Sequence, residues 1–177
     1  KCLRLWEWKT PEGFVLRGWR SEPTGKPVLH FMHGTGLCGL TYWPLLKQLL
    51  PQVDLFISDI QGHGDSDGDW PFVGWNRSAA LALMAWKAHA DDYGNVPVIA
   101  AGHSLGGIMS ALMLGTTTDV FSRGLLLDPV VMPPWVCVMG WLGERTGFYR
   151  RNSWVKRALI RCKEWPSRQA AYDYLNG

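Results

Sequence analysis

The stretch Gly102-His103-Ser104-Leu105-Gly106-Gly107 sets a serine between glycines two residues before and two after it. It joins an apolar run, Val96 to Gly102, to a second one, Leu105 to Leu114. A hydroxyl is a weak nucleophile, and to react it must stand clear of its neighbours beside a base. A sharp strand-to-helix turn provides the first condition: the serine is forced into a strained backbone conformation, and the glycines relieve the clash of strand and helix backbones. The same turn aims a helix N-terminus at negative charge forming on a substrate and sets the Leu105 N–H beside the attacking oxygen. The alternative is a glycine-rich connection with an incidental serine, or a phosphate seat at a helix N-terminus. A second glycine loop, His33-Gly34-Thr35-Gly36, after an earlier strand favours the nucleophile.

The base is not evident. All five histidines, His30, His33, His63, His89 and His103, precede Ser104. His30 falls within a strand and His89 within a helix, which makes them core or surface residues. His33 and His103 flank the glycine loop and the serine turn, where the backbone carries their side chains away from the hydroxyl or beneath it. His63 and Asp65 are tempting as a base and acid pair, and Asp128, closing a strand, is a weak candidate for the acid.

The elements around these residues follow from periodicity. Leu3–Lys9 and Phe14–Arg20 alternate on either side of Thr10-Pro11-Glu12-Gly13 and predict an antiparallel hairpin. Pro27–Met32 and Val53–Asp59 are continuous apolar runs, the pattern of strands covered on both faces. Between them Tyr42, Leu45, Leu46, Leu49 and Leu50 recur at helical spacing, with Pro44 tolerable in a first turn. A helix over 77–93, a strand over 96–102, a helix over 105–114 and a strand over 124–129 complete the alternation. Such alternation predicts an α/β fold with a mostly parallel sheet and helices on both faces. Ligands in these sheets bind beyond the carboxyl ends of the strands, where all three glycine-rich loops lie. Past Pro129 the alternation stops, and Val130–Gly143, a segment from Ser153 and a segment from Ser167 read as short helices, the two serines as N-caps. Residues 1–129 are thus read as the core and 130–177 as an incomplete helical cover.

Composition limits the function classes. With 47% apolar and 19% charged residues the chain has the makeup of a packed globular protein, not of a disordered one. Its net charge of +3 is concentrated late, in Arg145, Arg150, Arg151, Lys156, Arg157, Arg161, Lys163 and Arg168. No glycine- or aromatic-interleaved motif accompanies this surplus, so no nucleic-acid partner is expected. Cys2, Cys38, Cys137 and Cys162 lie far apart without a CxxC pair, which argues against a disulfide framework and against a zinc or other metal site. A reducing, cytoplasmic setting is expected. The longest apolar run, Val130–Gly143, falls short of the roughly 20 residues that a membrane span needs, so no stable insertion is expected.

Taken in order, His33-Gly34-Thr35-Gly36 after the third strand, Asp59 to Asp67 after the fourth and Gly102–Gly107 after the fifth make the chain resemble the N-terminal two-thirds of an α/β-hydrolase. The likeness covers Leu3 to about Pro129, and the remainder resembles the start of a helical cap. It implies a doubly wound sheet of the α/β-hydrolase type with the hairpin at one edge, and Ser104 as the nucleophile of an acyl-enzyme mechanism. It implies the Thr35 N–H as a second oxyanion donor beside that of Leu105, and substrate contact at Gly34 and His103. The segment 61–67 resembles a wall-forming loop of the family, with Gln61 where arginine is common, which makes His63 and Asp65 structural. The family order is serine, acid, histidine. Too little chain follows Ser104 for the last two strands, so the chain is read as truncated, with acid and histidine expected beyond Gly177. Asp128 stands where some members keep their acid.

The expected function is a serine hydrolase cleaving a carboxylic ester of a small or medium apolar molecule, with no cofactor and with the Trp-rich segment 135–165 as a lid. Self-association into a homo-oligomer stays open. So do other chemistries on the same elbow, namely a C–C bond hydrolase, an acyltransferase, a cofactor-free haloperoxidase or a membrane-active lipase. A non-catalytic small-molecule receptor or binding module that kept the elbow is the reading from a different class. Serine at position 104 counts against dehalogenase and epoxide-hydrolase chemistry, where relatives place aspartate.

Overall fold

In the computed structural model, residues 3–131, 133, 135–136, 138–139, 142 and 166–176 are described. The alternating runs at the N-terminus form the hairpin their pattern predicts: β1 (Arg4–Lys9) lies antiparallel to β2 (Val15–Arg20), with Arg4 opposite Arg20 and Lys9 opposite Val15. β3 (Val28–Met32) and β4 (Asp54–Ser58) are buried at every position, as continuous apolar strands must be when both faces are covered. With β5 (Val98–His103) and β6 (Arg123–Leu127) they complete a six-stranded sheet in the order β1-β2-β4-β3-β5-β6. β4, β3, β5 and β6 run parallel, and β2 joins β4 antiparallel, so the hairpin occupies one edge.

The two-residue period of the strands sorts the core. Leu29, Phe31, Leu55, Ile57 and Ala101 face one side and pack against Leu46 and Trp43 of α1 (Trp43–Leu46). Met32 packs on the other side with Ala79 and Ala82 of α2 (Trp75–His89) and Met109 and Met113 of α3 (Leu105–Thr116). On that side too, Phe56 stacks on Trp6 at a centroid distance of 4.7 Å and meets Trp86 edge-on. His30 belongs to this aromatic layer, fully buried, with Nε2 2.8 Å from Ser58 Oγ, which makes it a core histidine.

Three elements differ from their periodicity. The expected helix around residues 42–50 is one α-turn between 3-10 turns, Gly39–Tyr42 and Lys47–Leu49, because Pro44 and Pro51 bracket the segment and the chain turns at once into β4. α2 starts and ends earlier than expected, and a 3-10 turn, Ala90–Tyr93, leads to Gly94 at φ +70°, a left-handed stop. β6 is largely exposed, with Leu125 and Leu126 open to solvent, since among the described residues it forms the sheet edge.

The chain divides into two compact units, Lys1–Val131 and Met132–Gly177. In the second, α4 (Arg168–Asn176) begins at Ser167, whose Oγ accepts the Ala170 N–H at 3.1 Å, the N-cap bond its sequence predicts. The segment from Ser153, and most of the proposed lid over 135–165, lies outside the described residues.

Candidate active site

Ser104 stands alone between β5 and α3 at φ 51°, ψ −115°, a region that non-glycine residues enter at a cost of about 1–3 kcal/mol. The surrounding glycines show what holds it there. A Cβ on Gly102 would lie 2.2 Å from the Gly106 carbonyl oxygen, so strand and helix pass too closely for any side chain. A Cβ on Gly106 would lie 2.1 Å from the Met32 carbonyl oxygen, so this glycine serves contact between α3 and the end of β3. The Ser104 N–H donates to the Leu127 carbonyl at 2.9 Å, tying the turn to β6. The serine is half-buried, and its Oγ has no hydrogen-bond partner among the described residues.

The second glycine loop lies against this turn. A Cβ on Gly34 would come 2.9 Å from His103 Nδ1 and 3.4 Å from Ser104 Cβ, which leaves no room for a larger residue. Leu37 N–H donates to the Gly34 carbonyl at 3.1 Å, and Gly36 has φ +74°, so residues 34–37 form a type II turn with Thr35 at its second position. Among the described residues neither the Thr35 nor the Leu105 N–H has a hydrogen-bond partner. The structure therefore brings Gly34, His103 and Ser104 together, with Thr35 and Leu105 next to them in the chain and both of their amides unengaged among the described residues.

Their neighbours were less visible in the sequence. The Tyr42 hydroxyl accepts the Gly34 N–H at 3.2 Å and lies 2.7 Å from His103 Nδ1. His63 Nε2 accepts the Gly36 N–H at 3.1 Å while its Nδ1–H donates to the Gln61 carbonyl at 3.0 Å. His33 Nε2 accepts the Ile60 N–H at 3.0 Å, so its Nδ1–H donates to the Gly34 carbonyl at 2.9 Å. Burial holds the His33 imidazole down to about 4, hence neutral. Its approach to Asp59, 3.8 Å, is accordingly no ion pair. Asp59 itself is raised by burial, against the lowering effect of the Gly39 and Asp65 N–H groups that it accepts.

Asp65, His89 and Gln61 bond to other segments, whereas Asp128 directly follows Leu127, whose carbonyl accepts the Ser104 N–H. Asp65 Oδ2 accepts the Trp19 indole N–H at 3.1 Å, and His89 Nδ1 bonds the Ala85 carbonyl at 2.8 Å. Gln61 donates to the Trp70 and Pro71 carbonyls and accepts the Val73 N–H, which anchors the segment leading to α2. Asp128 follows Leu127 at φ 46° and is exposed. Among the described residues no three His, Cys, Asp or Glu cluster as metal ligands would, and no helix is long and apolar enough to cross a membrane.

The chain is similar in sequence and fold to known proteins. Residues 31–176 match the sequence profile of the Alpha/beta hydrolase family. Monoglyceride lipase of Rattus norvegicus is 32% identical over 120 residues, 66% of this chain and 39% of that protein. Lipase LipV of Mycobacterium tuberculosis is 32% identical over 113 residues, 63% of this chain and 41% of its own length. A hydrolase from Pseudomonas aeruginosa superimposes with a TM-score of 0.66 at 19% identity, over 85% of this chain and 54% of its own. The chain thus spans about two-fifths of the length of the curated relatives it matches. With the profile covering most of its residues, and the sheet order and serine turn described above, the chain belongs to the alpha/beta hydrolase family.

Proposed function

We propose that the protein is a serine hydrolase that cleaves a carboxylic ester of a small or medium apolar molecule through an acyl-enzyme on Ser104. One observation carries the reading: Ser104 sits at a positive φ in a turn that Gly34 abuts, and the adjoining Thr35 and Leu105 amides lack partners among the described residues. Attack on an ester carbonyl moves negative charge onto its oxygen, and two fixed N–H donors there stabilise the transition state more than the ground state. Gly34 and His103 then line the place where the acyl group sits, since both border the serine. The names of the relatives support an ester as substrate, with the monoglyceride lipase pointing to an acyl chain on a small alcohol. Among the described residues no histidine is hydrogen-bonded to the Ser104 hydroxyl. The separated cysteines support a cytoplasmic setting.

The test is covalent labelling of the full-length protein with a fluorophosphonate probe, followed by mapping of the modified peptide, and hydrolysis of p-nitrophenyl esters of graded acyl length. Modification at Ser104, lost in Ser104→Ala together with hydrolysis, is the expected result. A full-length protein that binds esters but neither labels nor turns them over would instead be the receptor or binding module.

A further inference from the structure

The two amides assigned to the oxyanion come from separate loops, and a displacement of about 1 Å at such a site can cost a hundredfold in rate. Leu105 is fixed by α3. Thr35 sits at the tip of a turn with glycine on both sides, which by itself has little to hold it. Side chains from two other segments supply the restraint. On one side of Thr35, the Gly34 N–H is taken by the Tyr42 hydroxyl at 3.2 Å, and on the other, the Gly36 N–H is taken by His63 Nε2 at 3.1 Å. The Tyr42 hydroxyl also meets His103 Nδ1 at 2.7 Å, so a single oxygen joins the glycine loop to the residue before Ser104. Because it accepts from Gly34, its own proton is available for His103.

We propose that Tyr42 and His63 are positioning residues that hold the Thr35 amide in register with the Leu105 amide, by engaging the amides flanking Thr35 and leaving only the middle one free. The inference rests on the reading of Ser104 as nucleophile, and it assigns Tyr42 and His63 no contact with substrate. Tyr42 is itself anchored: it ends the 3-10 turn that begins at Gly39, whose N–H is held by Asp59 at 2.6 Å, and its ring packs on Phe31 at 4.8 Å. His63 is anchored through Gln61. Tyr42 is thereby tied to β3, and His63 to the loop that follows β4.

Two measurements on the full-length protein separate this brace from the reading it rests on. The first is residue-resolved amide hydrogen exchange. Relative to intrinsic rates, the Gly34 and Gly36 amides exchange more slowly than that of Thr35, and Gly34 accelerates by about tenfold or more in Tyr42→Phe, as does Gly36 in His63→Ala. Exchange at Gly34 and Gly36 that matches Thr35, or that ignores both substitutions, overturns the brace whether or not Ser104 reacts. The second is ester kinetics, in which Tyr42→Phe and His63→Ala lower kcat by about ten- to a hundredfold while KM stays within about threefold. His63→Gln, whose amide oxygen can accept the Gly36 N–H, recovers most of the lost kcat. A kcat that is unchanged while protection is lost overturns the positioning role and leaves the nucleophile intact. A wild-type serine inert to fluorophosphonate sinks the nucleophile instead, and the exchange pattern still decides the brace.

Discussion

Gly106 approaches Met32 so closely that a single methyl group added to it would lie 2.1 Å from the Met32 carbonyl oxygen and 2.7 Å from that of His33. Both obstacles are backbone, which no change of rotamer removes. Gly106→Ala must therefore push α3 away from the end of β3, at a cost above the roughly 1–3 kcal/mol of ordinary overpacking. Gly115, in the same helix, has no atom within 4 Å of its missing Cβ. Thermal unfolding should show a large fall for Gly106→Ala and, for Gly115→Ala, a change between none and a gain of about 1 kcal/mol.

Strain at Ser104 gives an opposite prediction. Its φ of 51° suits glycine, so Ser104→Gly relieves the turn while adding freedom to the unfolded chain. Denaturant titration should find Ser104→Gly more stable than Ser104→Ala by about 1 kcal/mol, because alanine keeps the disfavoured conformation. Both variants lose fluorophosphonate labelling. Equal stabilities would show that the turn stores no strain.

The strain at Ser104 and the close pass of Gly102 and Gly106 were readable from sequence because they are local to Gly102–Gly107, whereas the approach of Gly106 to Met32, far back in the chain, was not. The parallel strands announced themselves in the same way, through continuous apolar runs such as Val28–Met32. What escaped was long-range and polar. Tyr42 and His103 are 61 residues apart, His63 and Gly36 are 27 apart, and Asp59 and Gly39 are 20 apart. Hydrogen bonds of this kind leave no period in the chain, so Tyr42 read only as a helical position and His63 as a tempting base or a part of a wall. Burial escaped at β6 for a related reason: an apolar run signals a strand, but its place in the sheet order decides what covers it.

The type II turn at residues 34–37 allows the Thr35 amide to be removed without disturbing its surroundings. Its second position favours proline, whose fixed φ matches the turn and which has no N–H to donate. The Thr35 side chain is exposed, so its replacement costs little packing. Thr35→Pro should leave the thermal midpoint close to wild type and lower kcat for an ester by about a hundred- to a thousandfold, the effect of losing one oxyanion donor. Thr35→Ala, which keeps the amide, should change kcat by less than about threefold. A Thr35→Pro variant that turns over ester at the wild-type rate would transfer the donor role to another group.

Two buried histidines make the fold sensitive to mild acid. Burial holds His30 down to about 3 and His33 down to about 4, against an ordinary value of 6.5. Both imidazoles are neutral in the folded protein, and His33 must be so to accept the Ile60 N–H. Above pH 6.5 neither state binds these protons and the pair contributes nothing to pH dependence. As pH falls below 6.5 the unfolded chain takes up two protons that the folded one refuses, and stability drops until the folded values are reached. At pH 5 each histidine costs about 2 kcal/mol by this linkage, and the slope approaches about 2.7 kcal/mol per pH unit. Asp59, raised by its burial, works in the other sense and offsets part of the loss once carboxylates begin to protonate. Urea unfolding at pH 7, 6 and 5 should therefore show a steep decline, and His33→Asn, though less stable at pH 7, should show about half the slope. A stability flat between pH 7 and 5 would mean that water reaches both rings.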